Sequence, residues 1–136
     1  MDFYGFADGS CNHTLNLSST AWVLYSPAYD LVSSGAVCIG PATNNIVKYR
    51  AVIGILTEVV SQDVHNLVVL MDSQLVVCHL NHVYTIRNPV PLHLFRRVRL
   101  LERSFETVTY RHIPREHNVV ANSRANYIID WHIAHS

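Results

Sequence analysis

The chain has 136 residues, with ten Lys and Arg against ten Asp and Glu and a formal net charge of zero. Hydrophobic residues make up 49% and charged residues 15%, against about 25% charged in typical soluble domains. Such a composition excludes a disordered chain and one that holds a polyanion by bulk charge alone, and its length suits one domain over residues 1–136.

The zero net charge conceals a division. Residues 1–86 carry two basic and six acidic side chains, a net −4, whereas residues 87–136 carry eight arginines and four acids, a net +4. Arginine favours bidentate phosphate contacts, although a basic stretch also makes an ordinary solvated face. Cys11, Cys38 and Cys78 form no disulfide framework, which points to a reducing compartment. No apolar run reaches the length of a membrane span, and no basic segment precedes an apolar one at the N-terminus. The expectation is an intracellular protein, cytoplasmic or nuclear, with no signal or transit peptide and no membrane insertion.

Phe3 to Ala7 reads as a strand that ends at a polar Asp8-Gly9-Ser10 turn. Ala21 to Tyr25 and Leu31 to Ile39 complete a three-stranded meander. From Thr43 or Asn44, either of which can cap, the period becomes helical. Ile46, Tyr49, Ile53, Leu56 and Val60 form one stripe and Val52, Ile55 and Val59 a second, headed by Lys48. Leu67 to Met71 is a continuous apolar run, the pattern of a central strand covered on both faces, and Asp72 stands at its carboxyl end.

Ser73 to Leu80 predicts a short helix, followed by a connection around Val83 to Arg87. Asn88-Pro89 opens another helix to about Arg103, with Arg96, Arg99 and Arg103 on one face and Leu94, Val98 and Leu101 on another. Phe105 to Ile113 alternates as a strand, Pro114 stops it, and a last helix runs from about Asn118 to Ile133. The order is βββαβααβα, an α/β chain with a mixed sheet.

Asp8-Gly9-Ser10, Thr43-Asn44-Asn45 with Tyr49, Asp72-Ser73, and His112-Ile113-Pro114-Arg115-Glu116 through Asn118 to Ala121 together resemble the ribonuclease H family, most closely its plant and retroelement reverse-transcriptase-like branch. The resemblance covers Phe3 to about Trp131. It implies a ribonuclease H-like fold, a five-stranded sheet flanked by helices, and hydrolysis of the RNA strand of a duplex with two divalent metal ions. Carboxylate clusters suit Mg²⁺ or Mn²⁺, because hard cations take oxygen ligands and offset the repulsion among the acids.

Two of the four acids that the resemblance implies are replaced. The family's N-N-x-A-E-Y reads Asn44-Asn45-Ile46-Val47-Lys48-Tyr49, and its N-x-x-A-D reads Asn118-Val119-Val120-Ala121-Asn122. Asp8 and Asp72 remain as metal ligands. Glu58 lies ten residues along the helix from Lys48, about 15 Å, too far to substitute. Asn122 keeps a carbonyl oxygen, but an ammonium at 48 cannot coordinate a metal.

Two readings follow. In the first, an endonuclease with an altered centre hydrolyses RNA in an RNA/DNA hybrid or in double-stranded RNA: Asp8 and Asp72 hold one ion, Lys48 does the electrostatic work of the second, and Asn122 orients water. In the second, catalysis is lost, Lys48 neutralises Asp8 and Asp72 without any ion, and the module binds an RNA-containing duplex or a protein partner. In either case the resemblance carries Ser10, Asn44, Asn45, Ser73 and Arg115 as nucleic-acid contacts, and His112 and His117 lie in the loop where the family often places a mobile histidine that assists product release, with His117 taken as the catalytic candidate. Arg96, Arg99 and Arg103 are candidate phosphate contacts in place of the family's basic handle helix. Cys78, His79 and His82 have loose metal-ligand spacing that more often marks packing and surface.

Overall fold

A computed structural model describes residues 1–82 and 85–135. Its strands are β1 (Phe3–Asn12), β2 (Leu17–Tyr25), β3 (Leu31–Ile39), β4 (Asn66–Met71) and β5 (Thr107–His112). Its α-helices are α1 (Asn44–Val59), α2 (Gln74–Leu80), α3 (Pro89–Glu102) and α4 (Val119–Ala134). The sheet runs β3-β2-β1-β4-β5, with β1 to β3 antiparallel and β4 parallel to both β1 and β5. This is the expected mixed sheet and element order. Part of the expected connection around 83–87 falls on residues 83 and 84, which lie outside the described residues.

The caps explain where the helices begin. Thr43 Oγ1 accepts the Ile46 amide at 3.3 Å, Ser73 Oγ accepts the Val76 amide at 3.4 Å, and Asn88 Oδ1 accepts the Val90 amide at 3.1 Å. Each satisfies one of the amides that a helix start leaves unpaired. Strand alternation then assigns the two faces of the sheet. A Cβ at Gly9 would meet Val47 of α1, whereas Ser10 and Ser19, of the opposite parity, bond Asn126 and Ala125 of α4. Helices α1 and α4 therefore cover opposite faces. Both predicted stripes of α1 enter the core except Val60, which is exposed where the chain tightens into a 3-10 turn.

Asp8-Gly9-Ser10 is not a turn. Strand β1 continues to Asn12 because Asp8 to Asn12 pair with Ala21 to Leu17, which also starts β2 four residues earlier than predicted. The turn lies beyond, where Asn12 Oδ1 accepts the Leu15 amide and Asn16 adopts a left-handed φ of 57°. Cross-strand pairing overrides the local turn preference of Asp, Gly and Ser. Strand β5 is also shorter than predicted, and Phe105, placed in that strand by its alternation, is buried in the loop before it. Among the described residues, no helix is long and apolar enough to cross a membrane.

Candidate active-site cleft

The parallel pairing of β1 with β4 matches Phe3 to Phe6 with Leu67 to Leu70. Continued two residues further, that register sets Asp8 level with Asp72. Lys48, the fifth residue of α1, closes the pair: its Nζ lies 2.5 Å from Asp8 Oδ1 and 3.5 Å from Asp72 Oδ1. Asp8 is completely buried, while 21% of the Lys48 side chain is exposed. A bare carboxylate at such a depth carries a heavy desolvation penalty, and the ammonium offsets it.

The other oxygen of Asp8 is also taken. Asn122 Nδ2 donates to Asp8 Oδ2 at 2.8 Å, Asn126 Nδ2 donates to Asn122 Oδ1 at 3.3 Å, and Ser10 Oγ donates to Asn126 Oδ1 at 2.8 Å. The direction of this relay follows from its end point. An ionised carboxylate only accepts, so Asn122 must turn its NH₂ inward and its carbonyl toward Asn126. One turn before Asn122, buried Asn118 donates to the Ala7 carbonyl at 3.0 Å and ties the start of α4 to β1. Asn118, Asn122 and Asn126 thus form a ladder at i, i+4 and i+8. That spacing is visible in the sequence and identifies Asn126, which the motif reading passes over.

These side chains open into a cleft of about 460 Å³ lined by Gly9, Ser10, Cys11, Asn44, Asn45, Lys48, Asp72, Ser73, Arg115 and Asn122. It gathers all five nucleic-acid candidates that came from motif positions, together with Cys11, which the sequence did not single out. His117 is elsewhere: it is exposed and lines a separate groove with Phe6, Tyr25 and Tyr29. Glu58 lines another groove beside Trp22 and Gly35.

The three-arginine face of α3 divides. Arg96 and Arg103 are exposed, but Arg99 turns inward, with Nη1 bonding both oxygens of Glu102 at 3.1 and 2.8 Å and Nη2 bonding the Leu80 carbonyl. Tyr110 of β5 donates to the same Glu102 at 2.6 Å. Burial, and then the Glu102 carboxylate, push the Tyr110 phenol above its ordinary range. Arg99 is therefore committed to joining α2, α3 and β5, and the expectation that it offers a phosphate contact is corrected. Cys78, His79 and His82 do not converge: among the described residues, no group of three or more His, Cys, Asp or Glu forms a metal site. His79 Nδ1 instead lies 2.6 Å from the Tyr49 hydroxyl, and burial lowers the His79 pKa and raises that of Tyr49.

The donor set does not fit two divalent ions. A cation needs lone pairs directed at it, yet Asp8 meets an ammonium on one side and an amide N–H on the other. Either group would have to move before a metal could bind.

Comparisons agree with this fold. The chain matches the reverse transcriptase-like family over residues 6–128. Ribonuclease HI of Halobacterium salinarum is 29% identical over 127 residues, covering 93% of this chain and 64% of that protein. A bifunctional protein of Mycobacterium tuberculosis is 35% identical over 92 residues, 68% of this chain. The chain spans only 25% of the length of that mycobacterial relative. In structure, RNase H1 from Halobacterium salinarum matches with a TM-score of 0.91 at 29% identity, over 96% of this chain and 98% of that one. LC11-RNase H1 in complex with an RNA/DNA hybrid shares the fold at a TM-score of 0.89 and 24% identity, over 96% and 99%. Sheet order, paired aspartates and the extent of the family match lead to one assignment: the chain belongs to the ribonuclease H family, in its reverse transcriptase-like group.

Proposed function

We propose that this chain is an RNA/DNA hybrid-binding ribonuclease H domain whose hydrolytic centre is held shut by Lys48. The observation that carries this reading is the position of the Lys48 ammonium between Asp8 and Asp72, at 2.5 and 3.5 Å. Two-metal hydrolysis needs cations that activate water and stabilise the leaving oxygen. Lys48 supplies one positive charge but no coordination site, and Asn122 adds a donor where a ligand is needed.

The hybrid is the favoured duplex because the named relatives are ribonucleases HI and H1, and because five polar or basic candidates line one cleft. Double-stranded RNA presents a similar wide minor groove with 2′-hydroxyls and is the competing ligand. A second reading, a weakened one-ion nuclease using Mg²⁺ or Mn²⁺, draws on the longer Lys48–Asp72 separation of 3.5 Å, since Asp72 still lines the cleft.

A cleavage gel separates these readings. Labelled hybrid, double-stranded RNA and single-stranded RNA are incubated with Mg²⁺ or Mn²⁺, using wild type, Asp8→Asn/Asp72→Asn and Lys48→Glu/Asn122→Asp. The proposal expects wild type to match the aspartate double variant, and the restored variant to gain Mg²⁺-dependent hybrid cleavage. Wild-type cleavage that disappears in the aspartate variant would establish the one-ion nuclease instead. No gain on restoration would show that more than these two ligands has been lost.

A further inference from the structure

We infer that Lys48 and Arg115 form a phosphate seat that works without a divalent metal, so that the duplex binding proposed above, on which this inference rests, is metal-independent. Four carboxylates in one cleft repel a phosphate until cations neutralise them. Here the charged residues lining the cleft are Asp72, Lys48 and Arg115, two cations against one anion. Asp8 lies beneath them, fully buried and satisfied at both oxygens by Lys48 and Asn122. The charge is balanced by the chain itself.

Lys48 also has the means to contact a ligand. An ammonium carries three N–H donors. The two aspartates engage two of them, and the side chain remains 21% exposed on the cleft wall. Arg115, exposed on the 3-10 turn Arg115–His117, adds a planar fork suited to phosphate oxygens. A metal ion entering this site would have to displace the ammonium from Asp8, so it competes with the internal cation rather than completing the seat.

The test is equilibrium binding of a short RNA/DNA hybrid at constant ionic strength, in excess EDTA and in millimolar Mg²⁺. Wild type is expected to bind equally in both, within about twofold. Arg115→Gln, a change at an exposed side chain, should weaken binding about fivefold at low salt and reduce the salt slope by about one. Lys48→Met should weaken it in the same direction, with circular dichroism confirming that the variant is folded. Lys48→Glu/Asn122→Asp should lose binding in EDTA. Wild-type binding that tightens about tenfold or more with Mg²⁺, or that occurs only with Mg²⁺, overturns the metal-free seat and leaves the hybrid-binding reading intact. Unchanged affinity and salt slope in both Arg115→Gln and Lys48→Met also overturn the seat. Absence of binding in both buffers overturns both proposals.

Discussion

Lys48 Nζ is 2.5 Å from Asp8 Oδ1, and it reaches that carboxylate from the fifth residue of α1, just past the first turn, where the helix dipole disfavours a cation only weakly. The dipole term is at most about 1 kcal/mol. Leaving the buried aspartate without its cation costs about 3 kcal/mol, so the ion pair decides the position of the lysine. Lys48→Met should therefore lower unfolding stability by about 3 kcal/mol in denaturant titration, and adding Asp8→Asn should recover most of the loss. A Lys48→Met protein as stable as wild type would mean that the ion pair with Lys48 is not what offsets the burial of Asp8.

Arg99 provides the contrast between an arginine used for packing and one available to a ligand. Its guanidinium bonds Glu102 and the Leu80 carbonyl and lies 4.6 Å from the Phe95 ring centroid. Arg99→Gln is expected to destabilise by about 2 kcal/mol, because the half-buried Glu102 carboxylate loses its cation. The same variant should leave the salt slope of hybrid binding unchanged. A reduced slope without loss of stability would restore Arg99 to the phosphate contacts.

These two sites show which features could be read from the sequence. Element order, the α1 stripes and the level pair Asp8 and Asp72 follow from periodicity and from the position of each aspartate along its strand. The ion pair was foreseeable because Lys48 heads an inward stripe. The fate of Arg99 was not, since spacing along α3 places three arginines together but says nothing of Tyr110 arriving from β5 to share Glu102. The Asp8-Gly9-Ser10 segment misleads for a similar reason: its residues favour turns, and only pairing with β2 keeps them extended.

His79 gives a pH dependence of known sign. Burial lowers its pKa from the ordinary 6.5, so below that pH the unfolded chain takes up the proton more readily than the folded one. Stability from this group is fully present above about pH 6.5 and is lost as pH falls through the lowered folded value. Urea midpoints measured between about pH 5 and 7.5 should decline toward the acid side more steeply in wild type than in His79→Gln. Identical profiles would show that His79 protonates as easily in the fold as in the unfolded chain.

Gly9 couples the sheet to the lysine. A Cβ there would stand 2.7 Å from the Val47 carbonyl oxygen and 2.9 Å from its carbon. The obstacle is α1 backbone rather than the end of a flexible side chain, so Gly9→Ala must separate β1 from α1 at the residue immediately before Lys48. Overpacking of this kind typically costs about 1–3 kcal/mol. The displacement also draws the ammonium from Asp8, so Gly9→Ala and Lys48→Met should be less than additive in a double-mutant cycle. Strict additivity would mean that α1 absorbs the methyl group without moving Lys48, and that the close approach at Gly9 plays no part in placing the cation.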